Sequence, residues 1–199
     1  GIGCMDRNDP YYISAIGCLG EGSSNSLSKN TDMALAIGTK LGDFTTGSWS
    51  NFHNPDFKLV SINTARFDVT KHRATPVISD AKIGLKQLSN ALDDWKAPDT
   101  WYQKSINERN EWNAYVEKQS GPTNQELPSY AHAVGAVYRN ADPSDIVVTA
   151  AGGLVGEVVQ IWKPKQINTF ETEWGFSCMG YEISGALGMK MAKPDNDIV

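Results

Sequence analysis

Cysteine and histidine are both scarce, at three residues each in 199. Cys4, Cys18 and Cys178 are odd in number and widely spaced, and none forms a Cys-x-x-Cys pair. His53, His72 and His132 are scattered. Spacing therefore excludes a zinc site and a disulfide framework, and the cysteines read as free thiols. Positive charge is also short: Lys plus Arg number 18 against 23 acids, a net charge of −5. No basic face is available to attract a phosphodiester backbone, which argues against nucleic-acid partners. Long hydrophobic runs are missing as well. The longest, Ile146 to Val155, is interrupted by Thr149, Gly152 and Gly153 and falls far short of the roughly 20 residues that span a bilayer. No membrane partner is expected. No signal-peptide pattern opens the chain, so Gly1 is expected to be an internal start and the protein cytoplasmic.

What is present is ordinary globular composition, 40% hydrophobic and 21% charged, enough for a packed core. The length suits one large domain, or one domain with part of another. From residue 32 to 95, strand and helix signals alternate. Met33 to Gly38 is a short apolar run ending in glycine, as in a buried parallel strand. Phe57 to Asn63 and Thr75 to Ser79 are two further strands. Asp80 is placed to cap a helix over Ala81 to Trp95, in which Leu85, Leu88, Leu92 and Trp95 make one stripe expected to face a sheet. Ser23 to Lys29 is a weaker helix candidate. Residues 96–126 change character: Trp101 to Lys118 is polar and helix-compatible, and Gly121-Pro122 breaks it, which predicts a helical connector on the surface between domains. A second α/β pattern follows, with helix Leu127 to Asn140, strand Asp145 to Ala150, helix Leu154 to Trp162, strand Ile167 to Glu171 and helix Ile183 to Ala192. Single helices between strands imply right-handed crossovers and parallel sheets. The terminal Asp197-Ile198-Val199 reads as the first residues of another strand, so the chain is expected to be a fragment of a larger enzyme.

Two loops could carry chemistry. Ala150-Ala151-Gly152-Gly153-Leu154 joins a strand to a helix, where free N–H groups can meet an anion and glycines let backbone approach it closely. Alone, such a Gly-Gly pair is equally the chemistry of a tight turn. Ser177-Cys178-Met179-Gly180 opens the next helix, and its flexible thioether could support an organic ring; alone, it is equally a packed helix start. As consecutive strand–helix units of one parallel sheet, both loops would open from the same edge, within reach of one ligand.

The order of these segments resembles that of acetolactate-synthase-like thiamine-diphosphate enzymes. The carriers are Asp145 to Thr149, the Gly152-Gly153 loop, Trp162, the strand to Phe170, Met179-Gly180, Ala186-Leu187-Gly188 and Ala192-Lys193-Pro194. Upstream, Gly17-x-x-Gly20-x-x-Ser23, Asp32, Ile37-Gly38-Thr39, Asp43 to Gly47, Ile62-Asn63 and Asp80-Ala81-Lys82 are similar to the central domain of that family. The run from Gly38 to Trp49, with Asn63, Phe67-Asp68 and Lys71 to Ala74, is most like its inositol-catabolism branch.

The resemblance implies a Rossmann-like central domain with a six-stranded type of parallel sheet over 1–95. It also implies a connector over 96–126 and the truncated start of a pyrophosphate-binding α/β domain over 127–199. Its implied function is hydrolysis of a C–C bond in a polyhydroxylated cyclic diketone, with thiamine diphosphate and magnesium as cofactors and a homo-oligomeric parent. Gly152, Gly153 and Leu154 would line the diphosphate pocket. Ser177 would offer its carbonyl to the aminopyrimidine, and Met179, followed by Gly180, would hold the cofactor bent. Many relatives carry glycine where Ser177 stands, but a backbone carbonyl serves equally from serine. The family's Gly-Asp-Gly metal motif is absent, and its activating glutamate belongs to an amino-terminal domain. No catalytic residue and no metal ligand is therefore assigned here. Asp43 to Gly47 lacks Gly-x-Gly-x-x-Gly and reads as structural rather than nucleotide-binding. Another acetolactate-synthase-like enzyme stays open as an alternative, as does a non-catalytic nucleotide-binding module of sirtuin or electron-transfer-flavoprotein type, since one fold hosts many functions.

Overall fold

The computed structural model describes residues 2–199; Gly1, the expected internal start, lies outside the described residues. The chain packs as two compact units. One comprises Ile16–Cys18 and Asn25–Lys104; the other comprises the described residues up to Ala15, Leu19–Ser24 and Ser105–Val199. This division differs from boundaries drawn at residues 95 and 126, because the first residues of the chain are tied into the carboxyl-terminal unit. Arg7 and Glu21 form an ion pair of 2.6 Å, with side chains only 7% and 1% exposed. The same guanidinium donates to the Trp162 carbonyl at 3.0 Å.

In the first unit, β1 (Met33–Ile37), β2 (Lys58–Asn63) and β3 (Thr75–Ile78) form a sheet in the order β1-β2-β3. Both pairings are parallel, with Ala34 opposite Leu59 and Ile62 opposite Val77. The expected strands are thus present and parallel. Among the described residues this sheet has three strands rather than six, because the residues before Met33 form turns and α1 (Gly22–Asn30). Ala36, Leu41 and Leu59 are its buried cluster, with Trp49 and Phe57 packed against them.

The helix α4 (Ala81–Leu92) begins as its sequence requires, with the Asp80 carboxylate accepting the N–H groups of Lys82 and Ile83 at 3.0 and 3.2 Å. It stops at Leu92 rather than Trp95 because Asp93 takes φ 47°, outside helical space. The expected sheet-facing stripe is corrected: Leu85, Leu92 and Trp95 are exposed, and Gly84 is the buried residue of the helix. A Cβ there would sit 2.9 Å from Cγ2 of Ile62, so the close contact with β2 is made at Gly84, while Leu88 is the one residue of the stripe that is half-buried. The turn α2 (Asp43–Thr46) is locked structurally. Thr46 is buried and its hydroxyl accepts the Trp49 N–H, while Gly17, at φ +107°, lets the Phe44 carbonyl approach.

Within the expected connector, α5 (Asp99–Ser120) crosses from one unit to the other at Ser105, and in the second unit it contributes Val116 to the core, with Trp112 packed against it. It is therefore more than a surface linker. The helix α6 (Tyr130–Asn140) starts three residues later than its apolar pattern suggests. Ser129 and His132 form a reciprocal capping box there, which fixes the helix entry. β4 (Val147–Thr149) and β5 (Phe170–Thr172) pair in parallel, and α7 (Leu154–Ile161) and α8 (Tyr181–Ala192) follow them. β5 starts at Phe170 rather than Ile167, since Asn168 takes φ 63° and breaks the extended run. Val134, Val155, Val158, Val159, Trp162 and Phe170 are buried together. Ile198 bridges Ile146 in parallel, so the terminal residues do begin a strand alignment. Cys4, Cys18 and Cys178 are all exposed. Among the described residues, no helix is long and apolar enough to cross a membrane.

Candidate functional site

The parallel pairing of Thr149 with Thr172 sets the two suspected loops side by side. Each leaves the carboxyl end of its strand, the edge at which open α/β sheets bind ligands. Past the last paired residues, the Glu173 N–H donates to the Thr149 carbonyl at 3.2 Å, which carries the ladder on to the mouth of both turns.

In the first turn, Gly152 takes φ +99° and a Cβ built on it meets nothing within 4 Å. Backbone is bare there, in a conformation that glycine alone adopts freely. Gly153 is the N-cap of α7 and supplies no side-chain cap to the helix. That leaves the positive end of an apolar helix open to an anion. Leu154 is exposed at its first position. In the second turn, Ser177 takes φ 55° and Gly180, the N-cap of α8, takes φ +93°. Met179 is 85% exposed between them. This excludes a core role for that methionine within the described residues.

Two glutamates that sequence reasoning passed over organise this edge. Glu173 accepts the Phe176 N–H at 2.9 Å and the Cys178 N–H at 3.1 Å. Those backbone bonds hold its carboxyl below the ordinary carboxylate range, because hydrogen bonds to the charged form favour it. Glu182 accepts the Ala151 N–H at 3.2 Å through one oxygen and the Gly180 N–H at 3.0 Å through the other. Its carboxyl is likewise held low, first by its own N–H and then by that of Ala151. Tyr181 donates to Glu171 at 3.4 Å; burial and then the Glu171 charge push its phenol up. A legible signal existed for Glu182, which is the acidic residue in the first turn of α8, where the helix dipole favours negative charge. Glu173 carried none, because its partners are backbone groups set by the fold.

The arrangement suits an elongated ligand with an anionic end. The bare Gly152 backbone and the start of α7 form one end of this edge, and the exposed Met179 side chain lies on the neighbouring turn. Among the described residues, no group of three or more His, Cys, Asp or Glu is placed to hold a metal.

Residues 1–88 match the family described as thiamine pyrophosphate enzyme, central domain. Residues 150–199 match the C-terminal TPP binding domain of thiamine pyrophosphate enzymes. The chain is similar to the 3D-(3,5/4)-trihydroxycyclohexane-1,2-dione hydrolase of Geobacillus thermodenitrificans, at 32% identity over 100% of this chain and 34% of that protein. The protein of that name from Clostridium tetani is 32% identical over 94% of this chain and 33% of its own length. That from Bacillus anthracis is 29% identical over 100% and 34%. The chain thus spans about a third of the length of the curated relatives it matches.

Proposed function

We propose, since the chain belongs to the thiamine pyrophosphate enzymes, that it supplies the central part and the first cofactor-holding turns of a cytoplasmic thiamine-diphosphate-dependent hydrolase. Its substrate would be a trihydroxylated cyclohexane-1,2-dione of the kind named for its relatives, as in inositol breakdown. The observation that carries the reading is the juxtaposition of the Gly152-Gly153 turn and the Met179-Gly180 turn on one sheet edge.

Gly152, Gly153 and Leu154 would receive the diphosphate, with backbone N–H groups as donors and no side chain in the way. Ser177 would present its carbonyl, and Met179 would support the organic rings from the side. When bound, thiamine diphosphate supplies the electron sink that C–C cleavage needs. Magnesium would neutralise the diphosphate through oxygen ligands, none of which is assigned in this chain. Hydrolysis of a 1,2-diketone adds one water across the bond between the carbonyl carbons. One carbon ends as a carboxylate and the other as an aldehyde. The residues assigned here bind and orient; proton transfer falls to none of them. The parent is proposed to be a homo-oligomer.

The test is a titration of the ¹⁵N-labelled chain with magnesium thiamine diphosphate, followed by amide shifts. Shifts are expected at Gly152, Gly153 and Leu154 and at Ser177 to Gly180, with weak affinity. Inorganic pyrophosphate should move only the first set. Unmoved amides at both turns under millimolar ligand would refute the cofactor reading. An enzyme of the relatives' full length carrying this chain should consume the cyclic diketone; failure to do so would refute the substrate.

A further inference from the structure

The two cofactor-facing turns are 31 residues apart in sequence at their nearest bonded point, and neither is anchored to the other by strand pairing beyond Thr172 and Glu173. Among the described residues, the Glu182 carboxylate joins them. We propose that Glu182 is a positioning residue that sets the spacing between the Gly152-Gly153 turn and the Met179-Gly180 turn by accepting one backbone N–H from each. Its meaning for the cofactor rests on the function proposed above; the clamp itself does not.

A carboxylate is suited to this by its acceptor-only chemistry. It has two oxygens and about four lone-pair sites, so Oε1 can take Ala151 while Oε2 takes Gly180. Both are charge-assisted bonds, stronger than neutral ones. Location adds to this: Glu182 stands in the first turn of the twelve-residue α8, where the dipole stabilises the ionised form. Meanwhile Glu173 closes its own turn by accepting Phe176 and Cys178, so the second turn is rigid before Glu182 links it to the first. Glutamine at position 182 would keep one acceptor oxygen and place an NH₂ donor against the remaining N–H. It would thereby break one arm of the link without changing size.

A ligand touching both turns must feel that spacing, whereas a ligand touching one need not. The experiment therefore compares Glu182→Gln with the wild-type chain by amide hydrogen exchange and by titration with magnesium thiamine diphosphate and with magnesium pyrophosphate. The expected result is loss of protection at whichever of Ala151 and Gly180 faces the new NH₂ group, with protection of Val147 and Val148 retained. Thiamine diphosphate affinity should fall about tenfold, as loss of a hydrogen bond to a charged group would produce, while pyrophosphate affinity changes less than about twofold. Equal weakening of both ligands, unchanged protection, or protection lost across the strand as well would each overturn the spacing role. Should the variant not fold, cross-hydrogen-bond scalar couplings from the Ala151 and Gly180 nitrogens to the Glu182 carboxylate carbon in the wild type decide it. Both are expected, and their absence overturns the proposal. If wild-type chain binds neither ligand, the cofactor reading fails, and amide exchange still decides the clamp.

Discussion

Replacing Met179 by alanine separates a pocket wall from a core side chain. Full burial of a methionine is worth about 1.5–3 kcal/mol. With Met179 85% exposed, only about a seventh of that, roughly 0.2–0.5 kcal/mol, is at stake in the chain's own stability. A buried methionine would instead cost about 2–5 kcal/mol on truncation. Urea unfolding of the Met179→Ala chain should therefore overlay the wild-type curve to within about 0.5 kcal/mol, the ordinary range for surface changes. Ligand titration should give a different answer. If Met179 supports the rings, magnesium thiamine diphosphate should no longer move Ser177 and Gly180 amides as it does in the wild type. Pyrophosphate-induced shifts at Gly152 and Gly153 should persist. Two outcomes would refute the reasoning: a stability loss of about 2 kcal/mol or more, which would place the side chain in packing, or an identical thiamine diphosphate response, which would remove it from the site.

Two further expectations follow from the charged groups. Glu21→Ala strands the buried Arg7 and should cost about 3–5 kcal/mol, a drop of about 1.5–2.5 M in urea midpoint at a slope near 2 kcal/mol per M. Arg7→Met combined with Glu21→Leu should recover most of that loss, and a Glu21→Ala cost below about 1 kcal/mol would deny the pair its anchoring role. Glu173 has its carboxyl held low by backbone bonds, so its contribution is present above the ordinary glutamate pKa and is lost only as pH falls through the depressed folded value. Protection of the Phe176 and Cys178 amides should accordingly survive through pH of about 4.3 and fade below it; fading at a higher pH would contradict the hydrogen-bond account.

Local pattern determined much of this protein. Short apolar runs placed β1, which ends at Gly38, and β2 and β3, and Asp80 capped α4 because a carboxylate before a helical run has two N–H groups to accept. Strand–helix alternation gave the parallel pairing, since a single crossover returns the chain in the same direction. The ordered motifs brought out Gly152, Gly153, Leu154, Ser177, Met179 and Gly180 as one edge. Contacts between distant segments were decided only in three dimensions. Periodicity placed Leu85, Leu92 and Trp95 on one face but could not say that Gly84 would take the contact with Ile62. A polar pattern hid the buried Val116 of α5. Neither Glu21 nor Glu182 announces its partner, because an ion pair to Arg7 and a bond to the Ala151 N–H depend on where folding brings the backbone. Periodicity encodes which residues share a face; tertiary packing alone chooses what each face meets.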